Sequence, residues 1–442
     1  MMLLLSVLTA YAYATTESSS VAASKERLEQ ACPGKKAKDV IVFVGDGMGS
    51  STITAARWYK TQNGLGGLYM DQMPYAAPVC TESTNCIVTD SAPAASALFS
   101  GHETNNGMIN WYEGKSFQTI LDDAEKAGKA TGAVSTTRIT HATPAGTYAK
   151  TSNRDDENDI AVQMLNSGID VAMGGGIRQF INATEVEPES GLKGKRTDGR
   201  NLIEEFKAQG YLFVNNTSSF NAINPAKDRK VLALFDYDHM LHEADRSTDR
   251  SGEPSLSEMT AKSIQVLSAD RDGFFLMVEG GRIDHAHHET KAYKAITDTI
   301  EFDNAIRTAA SMVDMRETLI IVVADHSHTF VINGYPFRTD NIMGMNVTLN
   351  ADGTVKQAYP ILSYGTGSIG FNMNNPEDIW RYDAANLTKE TKYPGAVLLG
   401  EDTHAGEMVV GYAAGPGAYK MHGTLHLLDL YGIAHNAMFG RA

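Results

Sequence analysis

Short apolar runs alternate along this chain with patterns that are typical of helices. The run at positions 40–44, rich in β-branched residues, is typical of a strand buried on both faces. Similar runs recur at 132–134, 171–173, 274–278, 319–323 and 408–411, and helical patterns cover 116–127, 202–209, 256–268 and 292–315. Strands that alternate with helices predict a three-layer α/β/α sandwich with a mostly parallel central sheet.

Residues 331–403 have a different pattern, rich in Asn, Gly and Tyr, with short β-type patches and little helical periodicity. We interpret this segment as an inserted, small β-rich subdomain. The predicted core then covers residues 38–330, and the chain returns to it over 404–442. Residues 15–37 are polar and charged, which indicates a tail and a first helix.

The first fourteen residues resemble a secretory leader, although no basic residue precedes the apolar run at 3–8. The Ala-Tyr-Ala sequence at 12–14 has the small-x-small pattern of a cleavage site. No later stretch is long and apolar enough to span a bilayer, and the carboxyl end lacks the hydrophobic tail of a lipid-anchor signal. The sequence therefore predicts an exported protein, periplasmic or secreted, without a membrane anchor.

The charge balance limits the class of partner. The 442 residues include 53 acids and 38 bases, for a formal net charge of −15. A surface of this sign repels nucleic acid, so nucleic-acid binding is not expected. An anionic substrate would need local compensation, which bound divalent cations supply.

Acidic residues follow three of the predicted strands. Asp46 comes after the run at 40–44, Glu279 follows the run at 274–278, and Asp325-His326 follows the run at 319–323. A single acid after a strand is usually a helix cap or a turn residue. Three at one edge of a parallel sheet, where ligands bind, favour a metal site.

Histidines near these acids extend the pattern. Asp284 and His288 are four residues apart, so a helix would place both on one face, and His404 is a candidate third ligand. His285 would lie near the site in a poor position for a ligand, and His287 is expected at the solvated surface. Nitrogen and carboxylate donors without thiolate suit catalytic zinc, whereas oxygen donors suit magnesium.

A serine before a run of helix formers is the second chemical feature. Ser91 is followed by Pro93 and several alanines, so it would lie at a helix amino terminus that favours phosphate. A plain helix cap is the other interpretation of this serine. Arg154 is suited to bidentate binding of phosphate oxygens, although a lone arginine is also a common surface residue.

Six segments together resemble the signature blocks of the alkaline phosphatase family. They are VFVGDGMG, TDSAPAASA, THATPAGTYA, VEGGRIDHAHHE, ADHSH and DTHAGE, in the family's order over about residues 38 to 420. The resemblance implies an enzyme with two zinc ions and one magnesium ion that hydrolyses phosphate monoesters through a phosphoserine.

Carried onto this sequence, the resemblance assigns a role to each matching residue. Ser91 falls on the nucleophile and Arg154 on the phosphate-binding arginine. His141 and His285 stand at active-site positions where animal and some marine bacterial enzymes, unlike the enterobacterial enzyme, have histidine. The implied ligands are Asp284, His288 and His404 for one zinc; Asp46, Asp325 and His326 for the other; and Asp46, Thr143 and Glu279 for magnesium.

Animal members of the family carry a further metal site and a dimer interface. The counterparts of a calcium or magnesium site in this chain would be Glu189, Phe235, Asp236 and Glu253. The segment 331–403 resembles the crown subdomain at the interface of the family's homodimers. Small phosphomonoesters and a second copy of the chain are therefore the expected partners.

Three other functions are weaker interpretations. A sulfatase or diesterase would share the metal scaffold, but a sulfatase requires arginine where this chain has Ala95. A metal- or phosphate-binding protein without turnover would not need both Ser91 and Arg154. A dinucleotide fold at residues 45–49 is disfavoured because Asp46 would repel a pyrophosphate.

Cys80 and Cys86 would close a short loop as a disulfide, or remain reduced together with Cys32.

Overall fold

The computed structural model describes residues 35–440. The leader predicted over 1–14, most of the tail predicted over 15–37, and Cys32 lie outside this range. A ten-stranded sheet forms the centre, in the order β19-β2-β18-β10-β1-β9-β5-β6-β8-β7. Of its strands only β18 runs opposite to the others, so the predicted mostly parallel sheet is confirmed.

The strands of the central sheet are β1 (Asp39–Val44), β2 (Tyr75–Cys80), β5 (Ala130–Arg138), β6 (Val171–Gly175), β7 (Leu212–Val214), β8 (Val231–Leu234), β9 (Phe274–Glu279), β10 (Thr318–Val323), β18 (Val409–Ala414) and β19 (Leu425–His426). Strands β1, β9 and β10 lie at its centre and are almost completely buried, because helices cover both faces.

The helices form two layers, each with contacts among its own members. One layer contains α1 (Ser50–Gln62), α8 (Leu256–Leu267), α9 (Arg282–His288) and α10 (Ala292–Met312), and the other contains α2 (Ser91–Ser100), α3 (Ile120–Lys126), α4 (Ala142–Ala145) and α12 (Leu427–Phe439). The shorter helices are α5 (Glu157–Ser167), α6 (Leu202–Ala208), α7 (Thr217–Ala222) and α11 (Pro376–Arg381). The three-layer α/β/α sandwich predicted from the sequence is confirmed.

Local capping sets the start of one helix later than the sequence pattern predicts. The pattern at 116–127 becomes helical only from Ile120, because Thr119 and Asp122 form a capping box. The residues before it form a hairpin of β3 (Trp111–Tyr112) and β4 (Lys115–Ser116). The apolar pattern therefore locates the helix but does not fix its first turn.

Between residues 330 and 398 the chain builds small sheets of its own. Strands β12 (Phe330–Ile332), β15 (Leu362–Gly367) and β16 (Gly395–Leu398) form one sheet, and β13 (Met345–Leu349) pairs with β14 (Val355–Pro360). None of these described strands joins the central sheet. Next to them, β11 (Ser327–His328) pairs antiparallel with β17 (His404–Ala405), which carries His404 back to the edge of the core.

Candidate metal centre and active site

The acidic residues after the central strands lie at one level of the sheet. Val44 at the end of β1 pairs with Val323 on one side and with Glu279 on the other. Asp46 and Asp325 each follow two residues after those valines. Parallel register therefore brings three carboxylates from distant parts of the sequence to the carboxyl edge of the sheet.

The turn after β1 needs a glycine at one position. Gly47 has a φ of +66°, and a Cβ added there would lie 2.5 Å from Cδ2 of His328. The backbone N–H of Gly47 donates to the Asp325 carboxylate at 3.0 Å. A larger residue would be strained and would displace the neighbouring imidazole, so the glycine allows Asp46 and Asp325 to come together.

One group of donors forms around helix α9. Asp284 and His288 are separated by one helical turn, with Oδ1 of Asp284 3.4 Å from Nε2 of His288. Nε2 of His404 lies 3.2 Å from Nε2 of His288 and 3.4 Å from Oδ1 of Asp284. Donors about 2.0 Å from a tetrahedral zinc ion are about 3.3 Å apart, so these three atoms have the spacing of zinc ligands.

Backbone carbonyls orient the two imidazoles of this group. Nδ1 of His288 donates to the carbonyl oxygen of Asp402 at 2.7 Å, and Nδ1 of His404 donates to that of Thr89 at 3.0 Å. With the proton on Nδ1, each ring presents the lone pair of Nε2 to the centre of the group. This is the usual outer-shell arrangement of a histidine metal ligand.

A second group of donors adjoins the first. Nε2 of His326 lies 3.4 Å from Oδ1 of Asp46 and 3.5 Å from Oδ2 of Asp325. Oγ of Ser91 is also 3.5 Å from Nε2 of His326. The rings of His326 and His404 stack with their centroids 3.6 Å apart, so the two groups are direct neighbours.

A third group contains mainly oxygen donors. One carboxylate oxygen of Glu279 accepts hydrogen bonds from Ser135 and Thr137, and the other has no partner. Both carboxylate oxygens of Asp46 and the hydroxyl of Thr143 are likewise buried without a hydrogen-bond partner. Buried polar atoms normally have partners, so these unpaired oxygens fit a bound cation.

The charges at this edge lead to the same conclusion. Burial and the neighbouring carboxylates of Asp325, Asp284 and Glu279 raise the pKa of Asp46 well above its ordinary value. Burial also raises the pKa of Glu279 to about 7, although the nearby hydroxyls of Ser135, Thr143 and Thr137 act to lower it. Acids packed this closely are stabilised by compensating positive charge, and the structure brings most residues of the implied ligand sets together at this edge.

His328 is a further member of the group of donors around helix α9, and the sequence motifs did not indicate this role. Its Nε2 bonds to Oδ1 of Asp284 at 2.6 Å, and its Nδ1 bonds to Oδ2 of Asp402 at 2.8 Å. Burial lowers the pKa of His328, but the hydrogen bonds to the two carboxylates outweigh this effect and raise it to about 9. The sequence feature that could have identified it is its position two residues after His326, because residues i and i+2 of an extended chain lie on the same side.

Ser91 is the first residue of helix α2, and the cap is the residue before it. The Asp90 carboxylate accepts from the backbone N–H groups of Ala92 and Gly107, both at 2.7 Å. The interpretation of Ser91 as a plain helix cap is therefore wrong. Because Asp90 satisfies the helix terminus, the Ser91 hydroxyl is available to face His326.

Arg154 is held between two partners beside Ser91. Its Nη1 lies 3.4 Å from Oδ1 of Asp90, and its Nη2 donates to Nε2 of His141 at 3.0 Å. The alternative of a free surface arginine is not supported by this geometry. One carboxylate thus caps the helix of Ser91 and orients the guanidinium next to it.

His141 and His285 lie side by side with a third histidine that the sequence analysis did not identify. The ring of His239 contacts those of His285 and His141, with centroids 4.3 and 5.5 Å apart. Nδ1 of His285 accepts from Arg282 at 2.9 Å, and burial with the adjacent guanidinium lowers its pKa to about 3. Burial and the neighbouring Arg154 also lower the pKa of His141 well below its ordinary value, so both rings are neutral near neutral pH.

His287 is buried, so the expectation of a solvated surface residue is wrong. Its Nε2 bonds to Oγ1 of Thr52 at 2.9 Å, and its Nδ1 bonds to the hydroxyl of Tyr364 at 3.0 Å. Thr52 belongs to helix α1 and Tyr364 to strand β15. The ring thus connects helix α9, which carries Asp284 and His288, to both the core and the inserted segment.

The residues expected at a further metal site lie near one another but already have partners. Glu189, Phe235 and Asp236 line one pocket together with Asp249, which the sequence analysis did not include. The carboxylate of Glu189 accepts from Ser251, and that of Glu253 accepts from the N–H of Leu241 at 2.9 Å. Burial and nearby acids raise the pKa values of Asp236 and Glu253 to about 6 and about 8.

The structure also bears on the cysteine pairing and on the search for membrane-spanning helices. Cys80 and Cys86 are free thiols in the structure, so the disulfide alternative is not the one observed. Within residues 35–440, no helix combines the length and the apolar character needed to cross a membrane.

Comparison with known proteins agrees with this geometry. The alkaline phosphatase family profile matches residues 37–437. The human tissue-nonspecific isozyme of alkaline phosphatase is 37% identical over 431 residues, which is 88% of this chain and 81% of the relative.

Two solved structures show the same architecture. The alkaline phosphatase from Thermus thermophilus is 25% identical and superposes with a TM-score of 0.72 over 94% of both chains. The enzyme from the Antarctic bacterium TAB5 is 25% identical, with a TM-score of 0.66 over 91% of this chain and 98% of its own. The chain therefore belongs to the alkaline phosphatase family.

Proposed function

We propose that this phosphatase hydrolyses phosphate monoesters to an alcohol and inorganic phosphate through a phosphoserine at Ser91. The observation that carries the proposal is the position of the Ser91 hydroxyl, 3.5 Å from Nε2 of His326 and beside Arg154, which Asp90 orients. A nucleophile, a group of metal donors and a phosphate-binding guanidinium then meet at one point.

Three metal ions fit the three groups of donors. Zinc would be held by Asp284, His288 and His404 in one group and by Asp46, Asp325 and His326 in the other, and magnesium by Asp46, Thr143 and Glu279. When bound, these ions supply Lewis acidity that lowers the pKa of the serine hydroxyl and neutralises negative charge on the phosphate. They also offset the net charge of −15, which would otherwise repel the substrate.

The side chains account for the two chemical steps. Oγ of Ser91 loses its proton to solvent and attacks phosphorus, the ester P–O bond breaks, and the leaving alkoxide takes up a proton from water and departs as the alcohol. Arg154 binds two equatorial oxygens during this in-line transfer. Water then attacks the phosphoserine, the Oγ–P bond breaks, and the serine is regenerated with release of inorganic phosphate.

The two histidines beside Arg154 have a positioning role in this proposal. Nε2 of His141 accepts from Arg154, which fixes one edge of the guanidinium opposite Asp90. His285 packs against His141, with centroids 5.7 Å apart, and is itself held by Arg282. Both rings would therefore keep Arg154 directed at the phosphate.

A homodimer is the proposed assembly. The segment 331–403, proposed as the crown subdomain, exposes several large apolar side chains, among them Tyr335 at 93%, Phe337 at 76% and Leu398 at 64%. An apolar surface of this kind usually marks a contact with another protein. Sedimentation of the purified protein at about twice the chain mass would support the proposal.

Two further expectations stay proposals. A fourth ion, calcium or magnesium, would bind near Glu189, Phe235, Asp236 and Glu253, and mass spectrometry of the metal content would detect it. Export rests on the leader-like residues 1–14, and the amino-terminal sequence of the protein recovered from its native host would test it.

The deciding experiment combines metal content with turnover. We expect about two zinc and one magnesium ions per chain, with p-nitrophenyl phosphate hydrolysis that EDTA abolishes and zinc restores. Ser91→Ala should remove nearly all turnover without removing the metals. Zinc without ester hydrolysis would indicate a different substrate, and the absence of zinc would contradict the donor assignment.

A further inference from the structure

Two exposed apolar side chains lie close along the chain to site residues, one four residues before Ser91 and one four residues after His404. Ile87 is 85% exposed and Met408 is 50% exposed, and neither belongs to the hydrophobic core of residues 35–440. Val88, next to Ile87, is half-buried. We call these three residues the apolar lip.

The apolar lip adjoins the donor groups through two loops that contact each other. Strands β2 and β18 are neighbours, with Val79 paired to Val409, so the loop after β2 and the loop before β18 leave the sheet at one end. Thr89 accepts the Nδ1–H of His404 at 3.0 Å. A Cβ placed on Gly406 would lie 3.1 Å from Cγ2 of Val88, which shows how closely the loops approach.

Polar groups next to the lip already have partners. The Glu407 carboxylate, adjacent to Met408, accepts from Oγ of Ser327 at 2.6 Å. The carbonyl oxygen of Val88 accepts from Nδ2 of Asn106 at 3.2 Å. These groups are therefore not free to recognise a substrate, whereas the apolar side chains are.

The position of the lip matches the path of the leaving group. In-line transfer places the leaving oxygen on the face of phosphorus opposite the Ser91 oxygen. His404 donates to the carbonyl oxygen of Thr89 in the loop of the lip, and it belongs to the group of donors around helix α9, whereas Ser91 faces His326 in the second group. A Cβ placed on Gly406, two residues after His404, would lie 3.8 Å from Cγ2 of Ile87, so an organic group that extends past His404 on this side would come close to Ile87.

We propose that the apolar lip makes this enzyme prefer monoesters of apolar aryl or alkyl alcohols over esters of small or charged ones. This inference rests on the proposed phosphomonoesterase activity and specifies its substrate class. Contact with apolar side chains stabilises an apolar leaving group by removing surface from water, and it does nothing for a charged one.

The test compares two esters whose phenols have similar acidity. The kcat/KM for 4-tert-butylphenyl phosphate should exceed that for phenyl phosphate by about fivefold, because the added methyl groups reach the lip. In the double variant Ile87→Asn with Met408→Gln, this ratio should fall to nearly one, while turnover of phenyl phosphate stays within about twofold. Leu65→Gln, at a residue 60% exposed outside the two loops of the lip, is the matched surface control and should leave the ratio unchanged.

Each contrary result of this substrate comparison would refute a different part of the proposal. An unchanged ratio in the double variant would refute the lip as a specificity surface. A change of sedimentation coefficient in the double variant would instead make the lip a contact between subunits. Failure of the wild-type protein to hydrolyse even phenyl phosphate would refute the proposed function and not the inference alone.

Discussion

Removal of the metals should destabilise the protein strongly, and more at high pH than at low pH. Each ion present at a thousandfold excess over its dissociation constant stabilises the folded state by about 4 kcal/mol. For 442 residues the unfolding entropy is about 0.9 kcal/mol per degree, so each ion raises the Tm by about 4–5 °C. Loss of three ions should therefore lower the Tm by about 13 °C.

The pH dependence follows from the buried carboxylates. Burial raises the pKa of Glu279 from 4.5 in the unfolded chain to about 7 in the folded protein without metal. Burial and neighbouring acids also raise the pKa of Asp46. The stabilising proton uptake is complete below pH 4.5 and is lost as the pH rises through about 7, so the metal-free protein should be more stable at pH 6 than at pH 9.

Scanning calorimetry of the holoenzyme and of EDTA-treated protein at both pH values tests this reasoning. The gap in Tm should be wider at pH 9, because ionised carboxylates repel one another without the cations. Addition of zinc and magnesium should restore the original Tm. A gap smaller than about 3 °C, or one that narrows with rising pH, would refute a metal centre built on these buried acids.

Four substitutions test other parts of the site. Asp90→Asn removes the charge that orients Arg154, so the KM for p-nitrophenyl phosphate and the inhibition constant for inorganic phosphate should both rise about three- to tenfold. Asp46→Ala disrupts two groups of donors and should remove two metals and nearly all activity, whereas His404→Ala should weaken one zinc and leave a slow enzyme, as metal analysis and steady-state rates would show. His287→Ala leaves two buried hydroxyls without their partner and opens a cavity, so urea unfolding should show a loss of about 2–4 kcal/mol.

Each of these results has a contrary outcome. Unchanged phosphate inhibition in the Asp90 variant would mean that Arg154 needs no carboxylate to keep its position. Equal and small losses for the Asp46 and His404 variants would contradict the ligand assignment. A His287 variant as stable as the parent would show that Thr52 and Tyr364 find other partners.

The clustering of the acidic residues that follow the strands was largely predictable, because it depends on the local strand pattern and on the general geometry of parallel sheets. Runs buried on both faces indicated a parallel sheet, and parallel strands place their carboxyl ends at one edge. Asp46, Glu279 and Asp325 therefore had to lie close together if the fold was right. The sequence pattern missed β2, since its exposed residues and its proline obscure the strand character of Tyr75–Cys80.

The errors concerned residues whose role depends on a partner from a distant segment. His287 is a polar residue on a short helix, and only the contacts with Thr52 and Tyr364 make its burial favourable. His239 lies in none of the six motifs, yet its ring packs against those of His141 and His285. The cap of helix α2 moved from Ser91 to Asp90 because Asp90 also binds the N–H of Gly107, seventeen residues away.

The sequence by itself determined the α/β class and the acids that follow three of its strands, and its resemblance to the family supplied the residues proposed as nucleophile, phosphate-binding arginine and metal donors. The strand pattern depends on residue type and on spacing within one element, which is local information. Only the tertiary structure decided the spacing of about 3.2 to 3.5 Å between donors from separate loops, the tie between Asp90 and Arg154, and the support of Asp284 by His328. Such contacts arise when packing brings segments hundreds of residues apart to one edge, and no pattern within a single segment encodes the distance between them.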